Sequence, residues 1–271
     1  MSKQPKQEMS FLGHLEELRW HLVRSTSAIF LVAIVLFVFI QTVFDHFILA
    51  HLEPDFITYQ FFCQIFGTIG IESSFCNINF PTKLQSLALT QQLMSSIWVS
   101  LILGIIITFP YLLWEIWRFI SPGLHKKEKN KSKGFLFIAS LLFFIGVSFS
   151  YYVIVPMSVS FFYGYQISDN IVNNFTLDSY ISLFTNTLLG VSLVFELPVV
   201  IYFLSKLGLV TPEFLKKYRK HALVVVLILS AVITPPDVAS QVIVSIPILI
   251  LYEVSIHISR FVIKKQLKNA K

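Results

Sequence analysis

Charge is what this sequence has least of. Only 13% of its 271 residues are Asp, Glu, Lys or Arg, about half of the ~25% found in soluble domains. With 55% apolar residues and a mean hydropathy of +0.72, that shortage excludes both an ordinary globular domain and a disordered chain. Cysteine occurs twice, which excludes a disulfide scaffold and a cysteine-rich metal centre. Enzyme signatures are missing too: there is no HExxH, no GxSxG, no P-loop and no pair of intramembrane aspartates. The seven histidines (14, 21, 46, 51, 125, 221 and 257) are scattered and suggest no metal cage, so each reads as an interface or loop residue. No cofactor site is expected. Long-period repeats are absent, and the proline-bearing spans (Pro110, Pro198, Pro247) do not pair into two matching halves, which argues against an inverted-repeat transporter.

What is present is aromatic and apolar. Phenylalanine alone occurs 27 times, and charge-free runs separate Arg24 from Asp45, Lys83 from Glu115 and Lys133 from Asp169. Three later runs, from Asp178 to Lys206, Lys220 to Asp237 and Asp237 to Arg260, hold only Glu196 and Glu253. Crossing about 30 Å of hydrocarbon takes roughly 20 apolar residues in a helix. The spacing predicts spans near 25–44, 94–117, 134–157, 180–204, 220–233 and 238–259. These runs are continuous rather than alternating, so they are helices and not barrel strands. The expected fold is all-α, a polytopic membrane protein of six helices. The first span is too long for a signal-peptide core, and no small-residue cleavage site follows it.

Placement of the basic residues orients the chain. Twenty of the 21 Lys and Arg lie before span one, between spans two and three, between spans four and five, or in the tail; only Lys83 lies elsewhere. Both termini are therefore expected in the cytoplasm. The net charge of +6 is explained by this asymmetry and does not call for nucleic acid. The expected organisation is a cytoplasmic segment 1–24 with an interfacial helix, a transmembrane domain 25–263 and a basic tail 264–271. One long outer loop covers 46–93, and a shorter one lies near 158–179. Span five has 16 residues between its flanking charges, roughly 24 Å at 1.5 Å per residue, and spans five and six are expected to be a short pair.

Four stretches carry polar groups in telling places. In Phe11-Leu-Gly-His-Leu-Glu-Glu-Leu-Arg-Trp20, the apolar Phe11, Leu15, Leu18 and Leu22 share one helical stripe opposite Glu16, Glu17 and Arg24. A solvated lead-in explains the stripe; two adjacent carboxylates on an otherwise basic surface do not follow from it. Ser121-Pro-Gly123 is a turn signal after span two, and Glu128 is a lone carboxylate in a lysine run. A local ion pair for Glu128 would contribute under about 1 kcal/mol. Glu196, in Phe195-Glu-Leu-Pro198, falls near the membrane interior. An acid there is a functional candidate by default, and a hydrogen bond to Gln241, Asn186 or Thr187 is the structural alternative. Glu253 is the weaker case, close enough to the cytoplasmic end to reach the interface. Finally, Thr234-Pro-Pro-Asp237 reads as a rigid outer hairpin, with Asp237 able to cap span six.

Together these stretches resemble the TatC family, the multi-spanning receptor subunit of twin-arginine protein translocases. The matching elements are His14-Leu-Glu-Glu-Leu-Arg19, Phe119-Ile-Ser-Pro-Gly-Leu124 with Glu128, Phe195-Glu-Leu-Pro198, and Thr234-Pro-Pro-Asp237 with Ser240-Gln241. They occur in the family's order across residues 10–263. Two departures are Lys129-Asn130, where the family often has arginines, and the extended loop 46–93. The resemblance implies a bacterial inner-membrane protein, not an enzyme, that binds signal peptides bearing two consecutive arginines at its cytoplasmic face. It would associate with itself and with single-span TatA/TatB-type subunits to export folded proteins on the proton motive force. By motif position, Glu17, Arg19, Phe119, Pro122, Leu124 and Glu128 would recognise the signal peptide. Glu196 and Gln241 would form the polar intramembrane pair that meets a partner, and Pro198, Thr234, Pro235, Pro236 and Asp237 would be structural. Both cysteines, Cys63 and Cys76, fall in the loop expected on the oxidising side, where a bridge between them is expected.

Overall fold

A computed structural model describes residues 11–68, 83–120, 132–168, 170–171, 173–233 and 238–270. Every regular element among them is helical, with one isolated bridge between Gln85 and Thr176. This follows from the composition, since a backbone in hydrocarbon must satisfy its own polar groups. The long elements are α1 (Phe11–Val38), α2 (Ile57–Thr68), α3 (Gln91–Ile120), α4 (Ser132–Phe149), α5 (Val155–Gly164), α6 (Leu177–Val194), α7 (Leu197–Lys206), α8 (Pro212–Lys217), α9 (Arg219–Ile233) and α10 (Val238–Ala270). Five stretches, Leu15–Val38, Gln91–Phe119, Leu136–Gly164, Leu177–Lys206 and Gln241–Gln266, are long and apolar enough to cross a membrane. The sixth is α9. Its 15 residues span about 22 Å, short of a standard hydrocarbon core.

The helical lead-in runs into span one as a single helix, α1, unbroken from Phe11 to Val38. Several elements differ from the sequence expectation. The loop 46–93 contains α2, preceded by a π-helical turn at Phe44–Ile48 and a 3-10 turn at Leu49–Leu52. The sixth helix is not short: α10 runs 33 residues, with Pro247 inside it. The charges from Arg260 onward that bounded the apolar run do not stop a helix, since Lys and Arg are good helix formers. Span four is two helices, parted at Phe195–Glu196. Pro198 has no N–H for the Val194 carbonyl, which accounts for the break.

The chain divides into two compact units. The first holds the segment up to Phe39 with Ile97–Ser140. Here α1 and α3 meet closely at Gly104, where an added Cβ would lie 3.2 Å from the Ile29 carbonyl oxygen and 3.3 Å from Ala33 Cβ. Small residues permit such approaches between membrane helices.

The second unit holds Ile40–Ser96 and Leu141–Lys271. Its core joins Ile154, Val191, Phe195, Val226, Val244 and Ile248. A Cβ on Gly146 would come within 2.8 Å of Ser192 Cα, so α4 and α6 approach backbone to backbone there. A π-helical turn at Ser150–Ile154 joins α4 to α5. Such turns disturb the regular hydrogen-bond ladder, and side chains from the chain before and within α2 use the carbonyls in this one. Thr58 donates its hydroxyl to the Tyr152 carbonyl, and His51 Nε2 lies 2.9 Å from the Tyr151 carbonyl oxygen. Tyr59 Oη donates to the His51 and Pro156 carbonyls at 2.9 and 3.2 Å. Far from being a loop residue, His51 is fully buried among Phe56, Tyr151 and Phe184. Burial lowers its pKa to about 4, so the ring is neutral near pH 7.

Candidate functional site

Within the first unit, the start of α1 presents Glu16, Glu17 and Arg19. Glu16 and Arg19 are exposed and Glu17 is half-buried; Glu17 makes no ion pair among the described residues. One helical turn on, His21 points at the end of α3. Its Nδ1 bonds the Glu115 carboxylate, and its ring meets Phe119 edge-on at 6.1 Å between centroids. Glu115 is 1% exposed. Tyr111 Oη donates to its other carboxylate oxygen at 2.9 Å, and the Arg118 guanidinium lies 3.9 Å away. Arg118 also stacks over Trp114, 5.4 Å from the ring centroid.

This cluster was missed by sequence reasoning. In the sequence Glu115 only bounds a charge-free run, and His21 reads as an interface residue. The available signal was a carboxylate inside a span with Tyr111 one turn before it and Arg118 one turn after. Glu128, Pro122 and Leu124 lie outside the described residues, as do Thr234, Pro235, Pro236 and Asp237. Cys63 is disulfide-bonded; Cys76, the sequence's other cysteine, also lies outside them.

In the second unit, Glu196 sits at the break between α6 and α7, 7% exposed. Neither carboxylate oxygen finds a hydrogen-bond partner among the described residues. The expected partners are engaged elsewhere or unpaired. Gln241 Nε2 donates to the Leu227 carbonyl at 3.0 Å, tying α10 to α9. Asn186 donates to Ser182 Oγ at 3.1 Å and lines a cavity of about 630 Å³ with Phe162, Tyr163 and Asp178. Thr187 Oγ1 is itself buried without a partner among the described residues. The Glu196–Gln241 pair is therefore not a bonded pair in this structure. A buried carboxyl without a partner carries a desolvation cost that a donor from outside would relieve. Glu253, by contrast, is paired: Arg219 Nη2 donates to it at 2.6 Å, at the surface.

Comparison with known proteins bears on this arrangement. The family described as Sec-independent protein translocase protein (TatC) matches residues 13–247. The Sec-independent protein translocase protein TatC of Blattabacterium sp. subsp. Periplaneta americana is 39% identical over 266 residues, covering 97% of this chain and 100% of that protein. The protein of the same name from Aquifex aeolicus is 32% identical over 259 residues, covering 95% and 98%. Among solved structures, the twin arginine translocase receptor TatC crystallised in DDM superposes with a TM-score of 0.70 at 32% identity, covering 91% of this chain and 99% of that one.

Proposed function

We infer the role of this chain from its family: it belongs to TatC, the Sec-independent protein translocase proteins. It is a twin-arginine translocase subunit, a multi-pass membrane protein and not an enzyme. Within that frame we assign it the receptor role. It binds twin-arginine signal peptides at the cytoplasmic face of the inner membrane. With single-span TatA/TatB-type subunits it then exports folded proteins on the proton motive force.

One observation supports this most: Glu17 is half-buried and without an ion pair among the described residues, on a side of the sequence crowded with Lys and Arg. A peptide carrying two arginines is repelled by such a surface unless carboxylates are exposed locally. Glu17, Glu16 and Glu128 are among the few that the sequence offers there. Arginine presents a planar fork that binds a carboxylate through two hydrogen bonds, a geometry lysine cannot reproduce. Arg19, Phe119, Pro122 and Leu124 complete the assigned recognition surface. Glu196 is the docking point for a partner's helix, because its unpartnered carboxyl can accept a donor brought by another chain.

Fluorescent twin-arginine peptide titrated into the purified protein tests the assignment. A twin-lysine peptide should bind at least tenfold more weakly. Equal binding of the two would overturn the receptor role.

A further inference from the structure

We propose that Glu115 is a positioning residue for signal recognition: paired with His21, it sets the rotation of α1 that determines where Glu17 points. The proposal rests on the receptor role assigned above.

Its own helix satisfies only one oxygen of Glu115: Tyr111 and Arg118, one turn before and one turn after it, both face Oε1. The partner that comes from another helix is His21, 94 residues away in the sequence. That contact satisfies the other carboxylate oxygen, Oε2, and in doing so joins two helices at a defined azimuth.

Its register matters because of a second contact. Gly104 meets Ala33 at the other end of the same helix pair. The two contacts are 12 residues apart on α1 and 11 apart on α3, the match required of an antiparallel pair held without slip. Between them α1 is poorly anchored: Leu22, Val23, Phe30 and Leu31 are all exposed. Remove the His21–Glu115 bond and the close approach at Gly104 becomes the pivot about which α1 turns.

The functional consequence comes from helix geometry. Glu17 and His21 are four residues apart and share a face of α1. Fixing the ring of His21 fixes the direction of the Glu17 side chain. The same ring touches Phe119, the last recognition residue before the segment that carries Glu128. One bond thus sets both the Glu17 face of α1 and the Phe119 end of α3.

The test compares Glu115→Leu, His21→Leu, the double His21→Leu/Glu115→Leu and Glu115→Gln in the full chain in lipid nanodiscs. Three readouts are taken: thermal stability, twin-arginine peptide affinity, and the distance distribution between nitroxides at Leu22→Cys and Ile116→Cys. His21→Leu leaves a buried carboxylate short of a partner and should lower stability; the double variant removes that charge and should regain it. If Glu115 positions α1, the double variant still binds peptide at least tenfold more weakly and shows a broadened distance distribution. Glu115→Gln keeps an acceptor oxygen for His21 and turns an amide N–H toward the Tyr111 hydroxyl, which accepts as well as donates, and should stay within threefold of the parent. A double variant with parental affinity and a parental distance distribution would overturn the proposal and leave the pair a stability element only. If the parent protein fails to prefer twin arginine over twin lysine, the receptor assignment falls instead. The nitroxide distances then still decide whether the pair sets the helix rotation.

Discussion

His51 and Tyr151 stand 100 residues apart in the sequence, yet Nε2 of the one lies 2.9 Å from the carbonyl oxygen of the other inside the second unit. His51 Nδ1 faces the Ile48 carbonyl oxygen at 3.2 Å, so both ring nitrogens lie against backbone acceptors. The contact pins the irregular segment before α2 to the π-helical turn between α4 and α5.

Acid should weaken this pin. Burial holds the His51 pKa at about 4 in the folded state, against about 6.5 when unfolded. A depressed folded pKa means that the unfolded chain takes up the proton first. The stabilisation is complete above pH 6.5 and is lost as pH falls from there toward 4. The full effect is about 3 kcal/mol. Thermal unfolding of the purified protein between pH 7 and 4 should therefore show a steeper loss for the parent than for His51→Gln. Superimposable profiles would remove His51 as the cause.

Glu196 and Gln241 should behave as separate elements. Glu196→Gln keeps a hydrogen-bonding group at the helix break and should retain much of the transport activity. Glu196→Ala should weaken partner association and transport without changing peptide binding. Gln241→Ala, which removes the bond to Leu227, should loosen the α9–α10 hairpin at a cost of about 1 kcal/mol. Co-purification of single-span subunits with each variant is the measurement. Equally inactive Gln and Ala variants at Glu196 would shift the role to the proton itself.

At the recognition surface, Glu17→Ala and Glu128→Ala should each reduce twin-arginine peptide affinity at least tenfold, the loss of roughly 2–3 kcal/mol from a charged hydrogen bond. Membrane insertion should be unchanged. Glu16→Ala should matter less, because the exposed Glu16 adds bulk charge rather than a placed acceptor. Peptide titration of the three variants decides; equal losses at Glu16 and Glu17 would mean that only the total charge counts.

The orientation proposed from the basic residues is open to direct measurement. Reporters fused after Ala50 and after Ser168 should be active only where activity depends on the periplasm. A cytoplasmic signal at either position would invert the assignment, and the receptor face with it.

The Cys63 disulfide should survive purification without reductant. Mass spectrometry of unreduced, alkylated protein should find no modified cysteine and a linked pair containing Cys63 and Cys76. Closing 13 residues stabilises by about 3 kcal/mol in the chain-entropy picture, so reduction should lower the unfolding temperature. Two alkylated thiols would reject the bridge.

Hydropathy alone determined the class of this protein. An apolar run is a sum over neighbours in sequence, so the spans, the brevity of α9 and the asymmetry of Lys and Arg could be read without knowing what any helix touches. The four polar stretches were legible for the same reason: each is a local pattern that stands out against apolar surroundings. Helix ends were less so. Charges mark where a chain leaves hydrocarbon but do not stop a helix, and α10 runs on past Arg260. The partners of polar groups were not legible at all. Nothing local to Glu115 specifies His21, nothing local to His51 specifies Tyr151, and Gln241, equally suited by sequence to Glu196, bonds the Leu227 carbonyl instead. A buried polar group takes whichever donor or acceptor the packing brings within about 3 Å, and that choice exists only once helices distant in sequence have been set side by side.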